Sequence, residues 1–171
     1  MKQYDVIYAD PPWQYQEHIP RKSDKIKYKT MALDEIKHYP IRTKDNAILW
    51  LWAVAPKLKD ALDVMDSWGF KYITCAIWDK GSPGLGHWFR QQHELLLIGR
   101  KGKFPRPPRD KTLSSIFYCK RGDHSEKPLQ IRDYLTDLYK GLDKVELFAR
   151  TNDYLFKDEL AEEWDFIGNE A

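Results

Sequence analysis

The sequence of 171 residues contains few cysteines, and none of them forms a paired motif. Its two cysteines, Cys75 and Cys119, lie in apolar runs without a C-x-x-C spacing. This arrangement predicts reduced, buried thiols in a cytoplasmic protein rather than a disulfide-stabilised secreted domain. No apolar stretch approaches the ~20 residues of a membrane span, and the N-terminus does not resemble a signal peptide. We therefore expect no membrane partner.

Several motifs of nucleotide and hydrolytic enzymes are also absent. No G-x-G-x-x-G follows a predicted strand, and neither a Walker lysine motif nor a nucleophile elbow occurs. The five histidines and two cysteines show no ligand spacing, so we expect no metal site. These absences argue against an oxidoreductase with an ordinary dinucleotide site, a P-loop enzyme and a serine hydrolase.

The composition is that of a globular protein rich in aromatic side chains. Charged residues make up 32% of the chain and aromatic residues 14%. The length predicts a single domain over residues 1–171 with room for a proper core. The formal net charge of +2 permits a nucleic-acid partner but does not require one.

Apolar, β-rich runs alternate with helical patterns along the chain. The predicted strands are residues 4–9, 47–54, 72–78, 94–99, 116–119, 145–149 and 164–167. The predicted helices cover residues 58–68, the segment from 128 to about 141, and a short segment near 32–36. Most of the strands are continuously apolar, which is typical of strands with helices on both faces. The pattern predicts a three-layer α/β fold around a mostly parallel sheet.

The first predicted strand ends in an unusual turn, Asp10-Pro11-Pro12-Trp13. The prolines fix their own φ angles and remove two backbone donors, while their carbonyls remain acceptors. Such a turn offers a carboxylate and carbonyl oxygens beside an indole, which suits a planar ring bearing an amino group, such as adenine. The alternative is a rigid strand-to-loop turn with a core tryptophan.

Three residues at strand or helix ends indicate a shared crevice. Asp10 and Arg150 each follow a predicted strand, and ligands of open α/β sheets bind beyond the carboxyl ends of strands. Lys127 stands just before the helix that Pro128 opens, where a cation costs about 0.3–1 kcal/mol unless an anion binds there. Lys127 therefore marks a candidate carboxylate site, the alternative being an exposed lysine in solvent.

Three segments are expected to be loops rich in polar or glycine residues. Residues 14–30 and 101–111 each carry five positive charges, and residues 81–92 carry Trp88 and Arg90. If all three follow strands at one edge of the sheet, they form a basic, aromatic collar for nucleic acid. The alternative is ordinary solvated loops.

The motif Tyr-Ala-Asp-Pro-Pro-Trp at residues 8–13 resembles the catalytic signature of the adenine-N(6) methyltransferases related to the catalytic subunit of the mRNA adenosine methyltransferase. The resemblance covers most of the chain. It includes residues 28–31, 49–52, 78–80, 86–88, 99–102, 124–128 and 146–150 in the family's order and spacing.

This resemblance implies a Rossmann-like fold with a circularly permuted motif order and S-adenosylmethionine as the cofactor. The residues that it implicates in catalysis are Asp10, Pro11, Pro12 and Trp13. Those implicated in cofactor binding are Asp10, Lys127, Arg150, Asn152, Asn169 and Glu170, and those near the acceptor adenosine are Trp13, Tyr28 and Trp78. From the residues alone, packing is the favoured interpretation of Tyr28 and Trp78, and Trp50 and Trp52 are assigned to the core.

The resulting hypothesis is a methyltransferase that modifies the 6-amino group of adenine in nucleic acid. DNA is preferred over RNA because a short chain without RNA-binding appendages resembles bacterial or phage members of the family. The alternative is a catalytically inactive, nucleic-acid-binding subunit, against which the intact Asp10, Trp13 and Lys127 argue. A chain of this size has little room for a recognition domain, so we expect a homodimer or a partner subunit.

Overall fold

The computed structural model describes residues 2–14, 30–120, 127–149 and 163–168. These residues contain one seven-stranded sheet in the order β5-β3-β4-β2-β1-β6-β7. The strands are β1 (Tyr4–Ala9), β2 (Thr43–Ala53), β3 (Lys71–Asp79), β4 (His93–Lys101), β5 (Ile116–Tyr118), β6 (Lys144–Ala149) and β7 (Trp164–Gly168). The helices are α1 (Leu33–Lys37), α2 (Leu58–Ser67) and α3 (Leu129–Leu138), with short 3-10 turns at Ala55–Lys57 and Arg109–Lys111.

The sheet is mostly parallel, with one reversed strand. β1 is parallel to β2 and β6, β6 to β7, and β3 to β5. β4 is antiparallel to both of its neighbours, β2 and β3. The other six strands therefore end at one edge of the sheet, here called the carboxyl edge, where β4 begins. The prediction of a mostly parallel sheet is confirmed.

Helices cover the two faces of the sheet, as the three-layer prediction requires. Alternate residues of β2 point to opposite faces, so Leu49 packs with α2 residues such as Val64, while Trp50 packs with α3 residues such as Leu135. α1 lies on the α2 side through the buried Ile36. One buried apolar cluster therefore lies on each face of the sheet.

The helix boundaries follow the sequence signals. α2 buries Ala61, Val64 and Met65 and ends before Gly69, whose φ of +79° is the left-handed geometry of a helix C-terminus. α3 starts directly after Pro128, which has no backbone N–H to lose at that position. Both of the longer helices are confirmed.

One half of β3 differs from the expectation of strands covered on both faces. Lys71, Tyr72, Ile73 and Thr74 are exposed. Within the part of the chain that the structure describes, β5 pairs only with Ile77–Asp79 and so leaves this outer half without a neighbour on that side. Continuous apolar character was therefore misleading at residues 72–74.

The basic segment at residues 101–111 does not start at the carboxyl edge. Because β4 is reversed, Lys101 lies at the opposite edge, where its Nζ donates to Thr43 Oγ1 at 2.8 Å at the start of β2. Farther along, Lys111 Nζ contacts Asp137 Oδ2 of α3 at 2.8 Å. The prediction that all three segments follow strands at one edge is therefore wrong for this segment.

Among the described helices, none combines the length and the apolar character needed to cross a membrane.

Candidate active site

Asp10 and Lys127 meet at the carboxyl edge although they are far apart in sequence. Asp10 follows β1, and Lys127 lies two residues before α3. Lys127 Nζ donates to Asp10 Oδ2 at 2.6 Å. The side chain of Lys127 is 12% exposed and that of Asp10 is 33% exposed. The two residues that local sequence signals singled out therefore form one partly buried ion pair at the carboxyl edge, where the sequence predicts a crevice.

A second carboxylate and a second lysine extend this pair. Glu94, near the start of β4, places Oε2 at 3.3 Å from Lys127 Nζ and Oε1 at 3.3 Å from Lys80 Nζ. Lys80 follows β3 directly. The four side chains alternate in charge in the order Asp10, Lys127, Glu94, Lys80, and we refer to them as the charge chain. Two carboxylates and two ammonium groups balance, as partly buried charges require.

The titration behaviour of the charge chain follows from these contacts. Burial alone would raise the pKa of Glu94, yet the ammonium groups of Lys127 and Lys80 hold that pKa below its ordinary value. Burial alone would lower the pKa of Lys127, but the carboxylates of Asp10 and Glu94 raise it. Lys127 therefore remains a cation, and Glu94 an anion, at neutral pH.

Buried aromatic side chains lie next to Lys127. Its Nζ is 5.7 Å from the ring centroid of Trp52, which is fully buried. Trp52 Nε1 donates to Tyr8 Oη at 2.7 Å, and Trp78 packs edge-on against Trp52 with the ring centroids 5.8 Å apart. The assignment of Trp50 and Trp52 to the core is confirmed. The ring of Trp52 also faces a cation, an attraction that strengthens when water is excluded.

The turn after β1 is tied down by its own carbonyls. The Trp13 backbone N–H donates to Pro11 O at 2.8 Å, and the Met31 N–H donates to Pro12 O at 2.9 Å. Each carbonyl has a second lone pair for another donor. Trp13 is 6% exposed, and its Nε1 donates to Trp52 O at 3.2 Å. Its indole belongs to the α2-side core, and its stacking on a substrate base remains a prediction.

The other predicted substrate and cofactor residues divide into two groups. Trp78 is buried, and its Nε1 donates to Cys119 O at 2.8 Å, so its part in substrate binding remains a prediction. The remaining predicted site residues lie outside the described part of the chain: Tyr28, Arg150, Asn152, Asn169 and Glu170.

A buried ion pair lies on the α3 side of the sheet, near the crevice. Arg132 of α3 and Glu146 of β6 are almost fully buried, with Nη1 at 3.6 Å from Oε2. Burial raises the pKa of Glu146 to about 7, and the nearby Asp10 carboxylate adds to this, while Arg132 opposes it. Glu146 therefore titrates in the neutral range.

Sequence reasoning missed Glu94 and Lys80 as site residues. In the sequence, Lys80 is part of a motif shared with the family, and Glu94 is the first residue of a predicted strand. The signal that could have found them is the pairing of Trp78 with Glu94 between β3 and β4, which places both charges at the carboxyl edge. That pairing depends on the reversal of β4, which the sequence pattern did not indicate.

The donor set fits S-adenosylmethionine. Its amino-acid tail carries a carboxylate, for which Lys127 is the matching cation. Its ammonium and sulfonium groups are cationic, which suits the carboxylates of Asp10 and Glu94. Among the described residues, no cluster of three His, Cys, Asp or Glu side chains could hold a metal ion.

Comparison with known proteins gives one family and several relatives. The family model described as MT-A70 matches residues 4–170. The Type II methyltransferase M.MunI of Mycoplasma sp. is 36% identical over 172 residues, covering 88% of this chain and 74% of that protein. A putative N(6)-adenosine-methyltransferase MT-A70-like protein of Medicago truncatula is 27% identical over 157 residues, covering 86% of this chain and 24% of that protein. For the N(6)-adenosine-methyltransferase MT-A70-like protein of Arabidopsis thaliana, the identity is 26% and the coverage is 86% and 22%. The chain thus spans most of the Mycoplasma protein and under a quarter of the plant proteins.

Proposed function

The chain belongs to the MT-A70 family, and from this we infer that it is a methyltransferase acting on the 6-amino group of adenine in nucleic acid. We propose S-adenosylmethionine as the methyl donor and DNA as the preferred substrate. The observation that carries the proposal is the position of the Asp10 carboxylate at the carboxyl edge of the sheet. It lies next to the proline turn, and its Oδ2 accepts a hydrogen bond from Lys127 Nζ at 2.6 Å.

The main chemical obstacle is the weak nucleophilicity of the target nitrogen, whose lone pair is delocalised into the adenine ring. When bound, S-adenosylmethionine supplies a methyl group that its sulfonium has already activated. Asp10 and a carbonyl of Pro11 or Pro12 accept hydrogen bonds from the amino group and favour a more pyramidal nitrogen. The Asp10 carboxylate also stabilises the positive charge that develops on that nitrogen.

Orientation of the two reactants supplies much of the remaining rate enhancement. Well-oriented reactants gain about 7–11 kcal/mol over free encounter in solution. Asp10 lies on a turn fixed by the bonds to the Pro11 and Pro12 carbonyls and by the buried indole of Trp13. This anchoring supports a role for Asp10 in orienting the amino group.

Lys127 is the residue that we assign to the carboxylate of the methyl donor. It stands just before α3, so the free N–H groups and the positive end of the helix dipole add to its charge. Its surroundings keep it cationic, as the carboxylates of Asp10 and Glu94 raise its pKa. Lys127 thereby binds and orients one end of the donor, while Asp10 orients the acceptor.

The preference for DNA rests on similarity to one relative. The Mycoplasma protein, named a type II methyltransferase, matches this chain with higher identity than the plant N(6)-adenosine-methyltransferases and along most of its own length. In a duplex, the target base has to leave the stack at a cost of a few kcal/mol. Single strands avoid this cost.

The decisive experiment measures tritiated methyl incorporation from S-adenosylmethionine into matched DNA and RNA oligomers, single- and double-stranded. We expect N6-methyl-2′-deoxyadenosine in the digest of DNA and N6-methyladenosine in that of RNA, with more product on DNA. Oligomers in which hypoxanthine, which lacks the 6-amino group, replaces every adenine provide the negative substrate. Donor binding without product on any oligomer would favour the inactive-subunit alternative.

A further inference from the structure

Building on the proposed function, we propose that Lys127 exchanges partners during the catalytic cycle. Without the methyl donor it pairs with Asp10, and with the donor bound it pairs with the donor's carboxylate and leaves Asp10 to accept the target amino group. Glu94 and Lys80 are positioning residues that hold Lys127 at the crevice throughout. The exchange makes binding ordered, with the methyl donor first and the base second.

The proposal gives the Asp10 carboxylate two competing hydrogen-bond donors, Lys127 and the target amino group. Asp10 Oδ2 accepts a charged hydrogen bond from Lys127 Nζ at 2.6 Å. Charge-assisted bonds of this length are among the stronger hydrogen bonds in proteins. The neutral amino group of adenine is a weaker donor than an ammonium group. It competes poorly for Asp10 while Lys127 is paired there.

Lys127 also pairs with a second carboxylate, that of Glu94. Glu94 Oε2 lies 3.3 Å from Lys127 Nζ, and Lys80 Nζ lies 3.3 Å from Glu94 Oε1. Lys127 Nζ also lies 5.7 Å from the Trp52 ring centroid. These contacts do not involve Asp10, so they persist when Lys127 turns away from it.

The exchange also keeps Lys127 paired with a carboxylate. The charge chain holds two carboxylates and two ammonium groups, so a carboxylate that replaces Asp10 beside Lys127 leaves that ammonium paired. Asp10 is also the more accessible partner, with 33% of its side chain exposed against 15% for Glu94. Lys127 therefore releases the carboxylate that faces the crevice and retains the one behind it.

The test measures oligonucleotide affinity rather than activity. Fluorescence anisotropy gives the affinity for an adenine-containing single strand alone, with saturating S-adenosylhomocysteine, and with saturating 5′-methylthioadenosine, which lacks the amino-acid tail. We expect S-adenosylhomocysteine to tighten oligonucleotide binding about tenfold and 5′-methylthioadenosine to leave it unchanged. Equal effects of the two ligands, or no effect of either, would overturn the exchange.

Two variants test the assigned residues. Lys127→Met should bind the oligonucleotide without ligand as tightly as the wild type does with S-adenosylhomocysteine, because Asp10 no longer has to be released. Lys59→Met is the control, since Lys59 Nζ contacts Asp63 at 2.9 Å on the exposed side of α2. An unliganded Lys127→Met protein that binds no more tightly than the Lys59→Met protein would contradict the proposal.

The positioning role of Glu94 has its own readout. Glu94→Gln should lower the affinity for S-adenosylhomocysteine about tenfold in calorimetry. The affinity for 5′-methylthioadenosine should stay unchanged, because only S-adenosylhomocysteine has the carboxylate that Lys127 holds. Equal weakening of the binding of both ligands would indicate a merely structural role.

The two proposals can fail separately. If the protein methylates adenine but its oligonucleotide affinity does not depend on the amino-acid tail of the ligand, the partner exchange is wrong and the proposed function stands. If S-adenosylhomocysteine does not bind the wild type, the proposed function fails with it.

Discussion

At the scale of single residues, the carboxylate of Asp10 is the group whose loss should separate chemistry from binding. We predict that Asp10→Asn lowers methyl transfer by at least about 10²-fold, because the developing charge on the target nitrogen loses its counter-charge. Asparagine preserves the size of the side chain and one acceptor oxygen. Binding of S-adenosylhomocysteine should remain measurable in calorimetry.

The control for this variant is Asp63→Asn, which removes a carboxylate that pairs with Lys59 on the exposed side of α2. Its rate should equal that of the wild type. Full methyl transfer by the Asp10→Asn protein would exclude the proposed acceptor geometry.

The sequence was informative at Asp10 and Lys127 because each carries a local signal. Asp10 precedes two prolines at the end of an apolar run, and Lys127 precedes the proline that opens a helix. Glu94 carries no such signal, since a charged residue at the start of a strand is ordinary. Its role depends on a cross-strand neighbour, and that neighbour is fixed only when β3 and β4 pair.

At the scale of elements, the buried pair that joins α3 to β6 should make stability depend on pH. The pKa of Glu146 is raised to about 7 from an ordinary value of 4.5. A group with a raised folded-state pKa stabilises fully below its unfolded pKa, and this contribution is lost as the pH rises to about 7. The shift corresponds to about 3 kcal/mol over that interval.

We therefore predict that Glu146→Gln becomes more stable relative to the wild type as the pH rises from 5 to 8. Urea unfolding at several pH values gives the difference in the free energy of unfolding, which should change by about 2–3 kcal/mol in favour of the variant. Above pH 8 the difference should be constant. A difference that does not vary between pH 5 and 8 would show that Glu146 titrates elsewhere.

The turn after β4 provides a second prediction at this scale. Gly102 has a φ of +61°, and a Cβ there would lie 2.3 Å from the Asp45 carbonyl oxygen. Gly69 has a φ of +79° with open space around it. Gly69→Ala should cost about 1–2 kcal/mol for the left-handed backbone.

Gly102→Ala should cost at least about 1 kcal/mol more than Gly69→Ala, because backbone atoms must also move. The comparison uses the free energies of unfolding of the two variants in urea. Equal decreases in the free energy of unfolding would mean that the backbone around Asp45 shifts to accept the Cβ at no cost.

The strands were predictable from apolar runs, but their ends and directions were less so. β1 has the predicted bounds, whereas β2 begins at Thr43, four residues before its apolar run. Its first residues are polar because they lie at the open edge of the sheet, where burial does not select side chains. The reversal of β4 leaves no trace in composition, since both orientations bury the same leucines.

At the scale of the whole molecule, the position of the positive charges relative to the crevice should determine the salt dependence of nucleic-acid binding. Arg90 lies in the loop between β3 and β4 at the carboxyl edge, together with Trp88 and Phe89, which are 95% and 81% exposed. Arg106 is exposed in the segment that begins at the opposite edge.

We predict that Arg90→Gln lowers the slope of log affinity against log salt by about 1, the loss of one phosphate contact. Arg106→Gln should leave the slope unchanged. Anisotropy titrations of a double-stranded oligomer at several salt concentrations measure both. An effect of Arg106→Gln equal to that of Arg90→Gln would extend the nucleic-acid footprint around the side of the sheet.

The reversed strand makes β3, the intervening loop and β4 a hairpin whose loop lies at the carboxyl edge. Lys80 N–H donates to Gln92 O at 2.9 Å, so the two ends of the loop are joined at its base. The entropic cost of closing a loop rises only slowly with its length. Residues 81–91 can therefore be replaced by a loop of different length at little cost in stability. A graft of residues 81–91 from a relative would therefore change the exposed surface of this loop while leaving Lys80 and Glu94 at its base in place.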